Sequence, residues 1–111
     1  MNTHLELLEE LRKRTSDFIY PLTLEGVVFE VAFNNLSSFT DNMTRDFKNE
    51  DFLPKNIFRE LLLTICAMKT HGQKLNSNEF YEMTLKLEKN FNLIIAGESI
   101  DNKKPGIPRI T

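Results

Sequence analysis

The chain has one cysteine, no tryptophan, two histidines, four glycines and four prolines among its 111 residues. Cys66 alone cannot form an intrachain disulfide, which excludes the disulfide framework on which small secreted domains rely. His4 and His71 fall on different expected elements with no cysteine or aspartate at ligand spacing, so no metal site is expected. Gly26, Gly72, Gly97 and Gly106 stand apart from one another, which leaves no glycine-rich loop to cradle a phosphate. No apolar run approaches the roughly eighteen residues that suggest a membrane span. From Met1 to Glu10 the chain is acidic, where a secretory signal would be basic and then apolar. Fourteen basic and sixteen acidic residues are intermixed for a net charge of −2, so the clustered cations that bind phosphate backbones are missing too. These absences describe a soluble cytoplasmic protein with no cofactor, no nucleic-acid ligand and no membrane partner.

What is present is an ordinary globular balance, 41% hydrophobic and 27% charged. A chain of this size buries roughly two-thirds of its unfolded surface and needs no metal or disulfide to fold. A single domain is expected over residues 1–97. Residues 98–111, with two prolines, a glycine and no apolar period, read as a flexible tail.

Apolar spacing divides the domain into elements. Leu7, Leu8 and Leu11 line one side of an amphipathic helix over residues 3–15, with Glu6, Glu9, Glu10 and Lys13 on the other. From Phe18 to Phe33 the period changes to two: Tyr20, Leu22 and Leu24 alternate, then Val27, Phe29, Val31 and Phe33, with Glu25 and Gly26 between as a turn. That pattern predicts a β-hairpin whose first strand, carrying Pro21, is a sheet edge. Leu36, Phe39, Met43 and Phe47 then recur at helical spacing up to Lys48, behind Asn34 and Asn35 as caps. Pro54 opens a fourth element that runs to Thr70 and stops at Gly72. Its residues Ile57, Phe58, Leu61, Leu62, Leu63, Ile65, Cys66 and Met68 predict the buried centre of the fold. Asn76 with Glu79 reads as a capping box for a last helix ending at Ala96 and Gly97, with Phe80, Met83, Leu87, Phe91 and Ile94 inward. The expected class is therefore α+β: a mainly helical domain of about four helices with one β-hairpin.

The chemistry of catalysis is thinly represented. Cys66 lies within the most apolar expected helix, where a buried inert thiol outweighs a nucleophile. Asp17, Asp41, Asp46 and Asp51 are scattered among polar residues, and no two carboxylates stand out as an acid and a base. Residues 59–87 have the layout of a helix-turn-helix, but Glu79, Glu82 and Glu88 against Lys86 and Lys89 leave its second helix without the cationic face a groove requires. An enzyme is not expected.

Most of the nine phenylalanines fall on inward stripes and read as core. The residues left for contact with a partner are Phe18, Tyr20 and Phe52, then Leu85 and Leu93 on the outer side of the last helix. In the tail, Lys103, Lys104 and Arg109 could steer approach while Ile107 and Ile110 anchor. Binding to another protein, or to a second copy, is the expected activity.

The order of elements is similar to that of the small tail-assembly chaperones of tailed bacteriophages. The likeness is carried by the segment from Leu22 to Val31 (LTLEGVVFEV), by Leu36 to Phe39 (LSSF) and by His71 to Glu79 (HGQKLNSNE), and it spans most of residues 5–97. Asn35 stands where the family pattern has an arginine, and His71 where an aspartate often precedes the glycine. The resemblance implies a protein without catalytic residues that coats a long tape-measure protein while tail subunits assemble. Another small adaptor, immunity or inhibitor protein from a mobile element has the same compact, site-free character. A minor transcription regulator is the remaining alternative.

Overall fold

The computed structural model describes residues 4–101, which form four helices: α1 (His4–Glu25), α2 (Glu30–Asp46), α3 (Lys55–Leu75) and α4 (Asn78–Ala96). Among the described residues there is no strand, so the expected hairpin over residues 18–33 is absent and the class is all-α, not α+β. The reason lies in the inward stripe of α1. Leu7, Leu8, Leu11, Thr15, Phe18 and Leu22 are its buried residues, spaced three and four apart without a break. Thr15 is polar, and it hides the continuity of the stripe from a reading based on apolar residues. Tyr20 and Leu24, which alternation would place beside Leu22, instead point outward, at 63% and 79% exposure. Pro21 sits inside the helix, at a position that costs about 3 kcal/mol in a mid-helix setting. Burial of Phe18 and Leu22, at about 1.5 to 3 kcal/mol each, outweighs it.

α1 closes at Gly26, whose φ of 67° is open to glycine at no steric cost. Val27, Phe29 and Val31 then lie exposed along the connection and the first turn of α2, while Phe33 turns inward. The start of α2 is at least five residues earlier than the asparagine caps suggested, and Asn34 and Asn35 are exposed helical residues.

Contacts between the helices define the topology. α1 packs on α2 and α3, and α4 packs on α2 and α3, while the diagonal pairs α1/α4 and α2/α3 have no close backbone approach. Thr15 pairs with Glu60 and Thr23 with His71, so α1 and α3 run parallel. Asp41 meets Lys86 and Asn90, while Thr44 meets Ile100 beyond the end of α4, so α2 and α4 are parallel as well. Phe18 against Phe33 and Arg14 over Phe39 set α1 antiparallel to α2. Lys69 with Glu88 and Phe58 against Phe91 do the same for α3 and α4. The fold is thus two helical hairpins stacked in the same direction, as in helix-pair solenoids, and not a ring of antiparallel neighbours.

In this arrangement no helix is surrounded. α3 buries Ile57, Leu61, Thr64, Ile65 and Met68 toward α1 and α4. Leu62 and Leu63 are 48% and 60% exposed and Cys66 is exposed, which corrects the expectation of a buried central helix with an inert thiol. Gly72 does not stop α3, which continues to Leu75. A Cβ at Gly72 would lie 3.2 Å from the Phe80 ring, so glycine lets that ring pack closely against α3. Asn76, at φ 49°, ends α3, and the Ser77 hydroxyl caps α4 by accepting from the Phe80 amide at 3.2 Å.

Each helix carries a threonine in its inward stripe: Thr15, Thr40 and Thr44, Thr64, and Thr84. The hydroxyls of Thr40, Thr44, Thr64 and Thr84 are satisfied locally by donating to carbonyls three or four residues back, those of Ser37, Asp41, Glu60 and Phe80, while the one proton of Thr15 has two acceptors in reach, the Arg12 carbonyl and the Glu60 carboxylate of α3. A buried hydroxyl bonded this way leaves no unpaired donor in the core. Phe18 lies at the meeting point of the two hairpins, 5.3 Å from the Phe33 ring centre and 6.4 Å from that of Phe80.

Residues 98–101, read as the start of the tail, are folded onto α2. Ser99 is buried, the Ile100 amide donates to Thr44 Oγ1 at 3.1 Å, and Asp101 pairs with Arg45 at 2.9 Å.

Candidate interaction surface

The outer side of the first hairpin holds a groove of about 780 Å³ between α1 and α2. α1 contributes Lys13, Arg14, Ser16, Asp17, Tyr20 and Pro21, and α2 with its approach contributes Phe29, Val31, Ala32 and Asn35. No residue of α3 or α4 lines it. The groove exists because α1 presents Lys13, Asp17 and Tyr20 on the face opposite its buried stripe, and because Phe29 and Val31 leave the connection on that same side. Tyr20, Phe29 and Val31 are 63%, 56% and 72% exposed, an apolar patch in which three large side chains stand together. Pro21 has no N–H, so the Asp17 carbonyl loses its regular helical donor on the floor of the same groove.

The charges around this groove differ in how they are used. Arg14 is occupied: it pairs with Glu10 at 3.1 Å and lies 5.0 Å over the Phe39 ring. Lys13 and Asp17 take part in no ion pair or side-chain hydrogen bond among the described residues. Tyr20 also lines a second, smaller groove of about 190 Å³ between α1 and α3, with Thr15, Ser16, Ile19, Leu63 and Thr64. There Thr15 Oγ1 lies 2.9 Å from Glu60 Oε2, and Arg12 pairs with the same carboxylate at 3.5 Å.

The residues expected to meet a partner are separated by the fold. Phe18 is fully buried against Phe33 and Phe80 and cannot be a contact residue. Tyr20 is exposed as expected, but on a helix and not on a strand edge. Phe52 is 90% exposed in the α2–α3 connection, at the other end of the hairpin from Phe29. Leu85 is exposed and Leu93 half-buried, and both line a shallow groove of about 430 Å³ with Glu88, Lys89, Asn92, Ala96 and Glu98. Lys103, Lys104, Ile107, Arg109 and Ile110 lie outside the described residues. Beside exposed Tyr20 the structure places Phe29 and Val31, whose exposure the hairpin expectation concealed. The signal for them was in the sequence: Val27, Phe29 and Val31 follow a glycine and precede the stripe that begins at Phe33.

Among the described residues no three His, Cys, Asp or Glu side chains are placed to hold a metal ion, and no helix is long and apolar enough to cross a membrane. His71 Nε2 lies 3.5 Å from Thr23 Oγ1, and the His4 ring lies 6.0 Å from that of Phe47. Two bases have raised pKa values, both on the surface: Arg45 through its hydrogen bond to Asp101, and Lys69 through its hydrogen bond to Glu88. Such ion pairs position side chains and do not perform proton transfer near neutral pH.

Comparison of the chain with protein-family models, with curated proteins and with solved structures finds no match in any of the three. The functional reading therefore rests on the surface of the molecule itself.

Proposed function

We infer that this chain is a non-catalytic protein-binding domain that engages its partner through the outer groove of the α1–α2 hairpin. The observation that carries this reading is the grouping of exposed Tyr20, Phe29 and Val31 around one groove. Large apolar side chains at the mouth of a helix–helix groove fit the helix-in-groove mode of recognition, in which an amphipathic segment lays its apolar face on them. A reducing, cytoplasmic setting accords with the exposed free thiol of Cys66.

The narrower reading is a phage tail-assembly chaperone, for which an extended tape-measure protein supplies the amphipathic helices. The described fold replaces the strand pair of that layout by helix, turn and helix over residues 18–33, so this reading is supported by the binding groove and not by the strand pair.

The test uses photo-crosslinking groups placed at Phe29 and, separately, at Glu82 on the far hairpin. Crosslinking from Phe29 alone to another protein molecule in the native host, whether a distinct protein or a second copy of this chain, supports the groove. Tyr20→Ser with Val31→Ser should abolish it while leaving the melting temperature within a few degrees. Equal crosslinking from both positions, or none, would overturn the reading. Mass spectrometry of the crosslinked product then decides between a tape-measure protein and another partner.

A further inference from the structure

We propose that the groove between α1 and α2 binds a second copy of this chain, forming a two-fold dimer in which Lys13 of each protomer meets Asp17 of the other. This rests on the reading of the groove as a protein-binding surface and names its occupant.

A two-fold interface brings one patch against itself, so the patch must be its own complement in shape and in charge. The α1–α2 groove meets that condition in its charges. Lys13 and Asp17 are one helical turn apart on the same face of α1, both line the groove, and both are without an ion-pair partner among the described residues. The other groove cation, Arg14, is already held by Glu10 and Phe39. When two α1 helices cross antiparallel near Ser16, the Lys13 ammonium of one faces the Asp17 carboxylate of the other, and the symmetry produces the pair twice. Ser16 is a small residue at the crossing, which permits close approach of the two helices. Tyr20, Phe29 and Val31 then lie beside this polar centre and lose their exposure to water.

A partner with a single excess of charge would leave one of the two groups unpaired. A basic segment would repel Lys13, and an acidic one would repel Asp17.

Sedimentation equilibrium of the full chain, over a range of concentration and salt, tests the proposal. The wild-type protein should dimerise, and more weakly as salt rises, because an exposed charge pair is screened. Lys13→Glu and Asp17→Lys each place like charges together twice and should weaken the dimer about tenfold or more. An equimolar mixture of the two variants should restore it as a heterodimer. The introduced glutamate of one chain then faces the introduced lysine of the other, and the unchanged Lys13 faces the unchanged Asp17. Both substitutions are on an exposed face, and circular dichroism of each variant establishes that it is folded. A monomer at about 1 mM, a concentration that populates even weak contacts, would overturn the proposal. So would a dimer indifferent to both reversals, or a mixture that fails to recover. If the chain is monomeric while Phe29 still crosslinks to a distinct protein, the binding function stands and only the identity of the occupant is wrong.

Discussion

The Asn90 amide nitrogen donates to both Thr40 Oγ1 and Asp41 Oδ1, at 2.8 Å each, and so ties α4 to α2 from a fully buried position. Asp41 also accepts from Lys86 at 2.9 Å, and the Thr40 hydroxyl donates onward to the Ser37 carbonyl at 2.9 Å. The amide orientation is set by these acceptors, which leaves Asn90 Oδ1 as a buried atom with no partner.

Because that oxygen is unsatisfied and both nitrogen partners keep another bond, Asn90→Leu should change stability by no more than about 1 kcal/mol, and in the stabilising direction if the side chain packs. Asn90→Asp places a carboxylate beside Asp41 in the interior. It should cost roughly 3 to 5 kcal/mol near neutral pH and recover as pH falls and the introduced buried carboxyl takes up a proton. Urea denaturation of both variants at two pH values measures the difference.

Gly72 and Phe80 make a second testable contact. Gly72→Ala gains about 1 kcal/mol of helix propensity, but its methyl meets a ring held against Phe18. The Phe80 ring must shift by a few tenths of an ångström to admit a methyl, which offsets that gain, so Ala should be neutral to within about 1 kcal/mol and Gly72→Val clearly destabilising. Thermal melts of the pair check the order.

Neighbouring leucines on α3 should behave oppositely. Leu61, 1% exposed, should cost roughly 2 to 5 kcal/mol on replacement by alanine. Leu62, 48% exposed, should cost less than about 1 kcal/mol. Equal losses at the two sites would mean that α3 is rotated about its axis relative to the structure described.

The buried threonines separate a bond within a helix from one between helices. The Thr64 hydroxyl bonds only the Glu60 carbonyl of its own helix, so Thr64→Val should be close to neutral. Thr15 reaches the Glu60 carboxylate across the α1–α3 seam, and Thr15→Val should cost roughly 1 to 2 kcal/mol. A double-mutant cycle with Glu60→Gln assigns that difference to the contact between them.

Much of the helical content was legible in local signals. Gly97 at φ 72° ends α4 as its position suggests, and Pro54 stands just before α3. The stripe of Leu36, Met43 and Phe47 is buried as spaced, and so are Phe80, Leu87 and Ile94. Local spacing alone determined these because each stripe runs over several turns. The segment from Phe18 to Phe33 was not legible in the same way. Tyr20, Leu22 and Leu24 satisfy alternation, while Phe18 and Leu22 satisfy the helical period through a threonine that looks polar. Both patterns are present in the same residues, and the groups that distinguish them lie elsewhere in the chain. Phe33 and Phe80 receive Phe18 in the core, and that burial turns Tyr20 outward. Local spacing was enough to place the inward stripes of α2 and α4, the end of α4 at Gly97 and the mixing of charge along the chain. Only the tertiary structure decided which side of α1 and α3 faces water, because two hairpins stacked in parallel can cover just one side of each helix, and the choice of side is a property of the packing and not of any one segment.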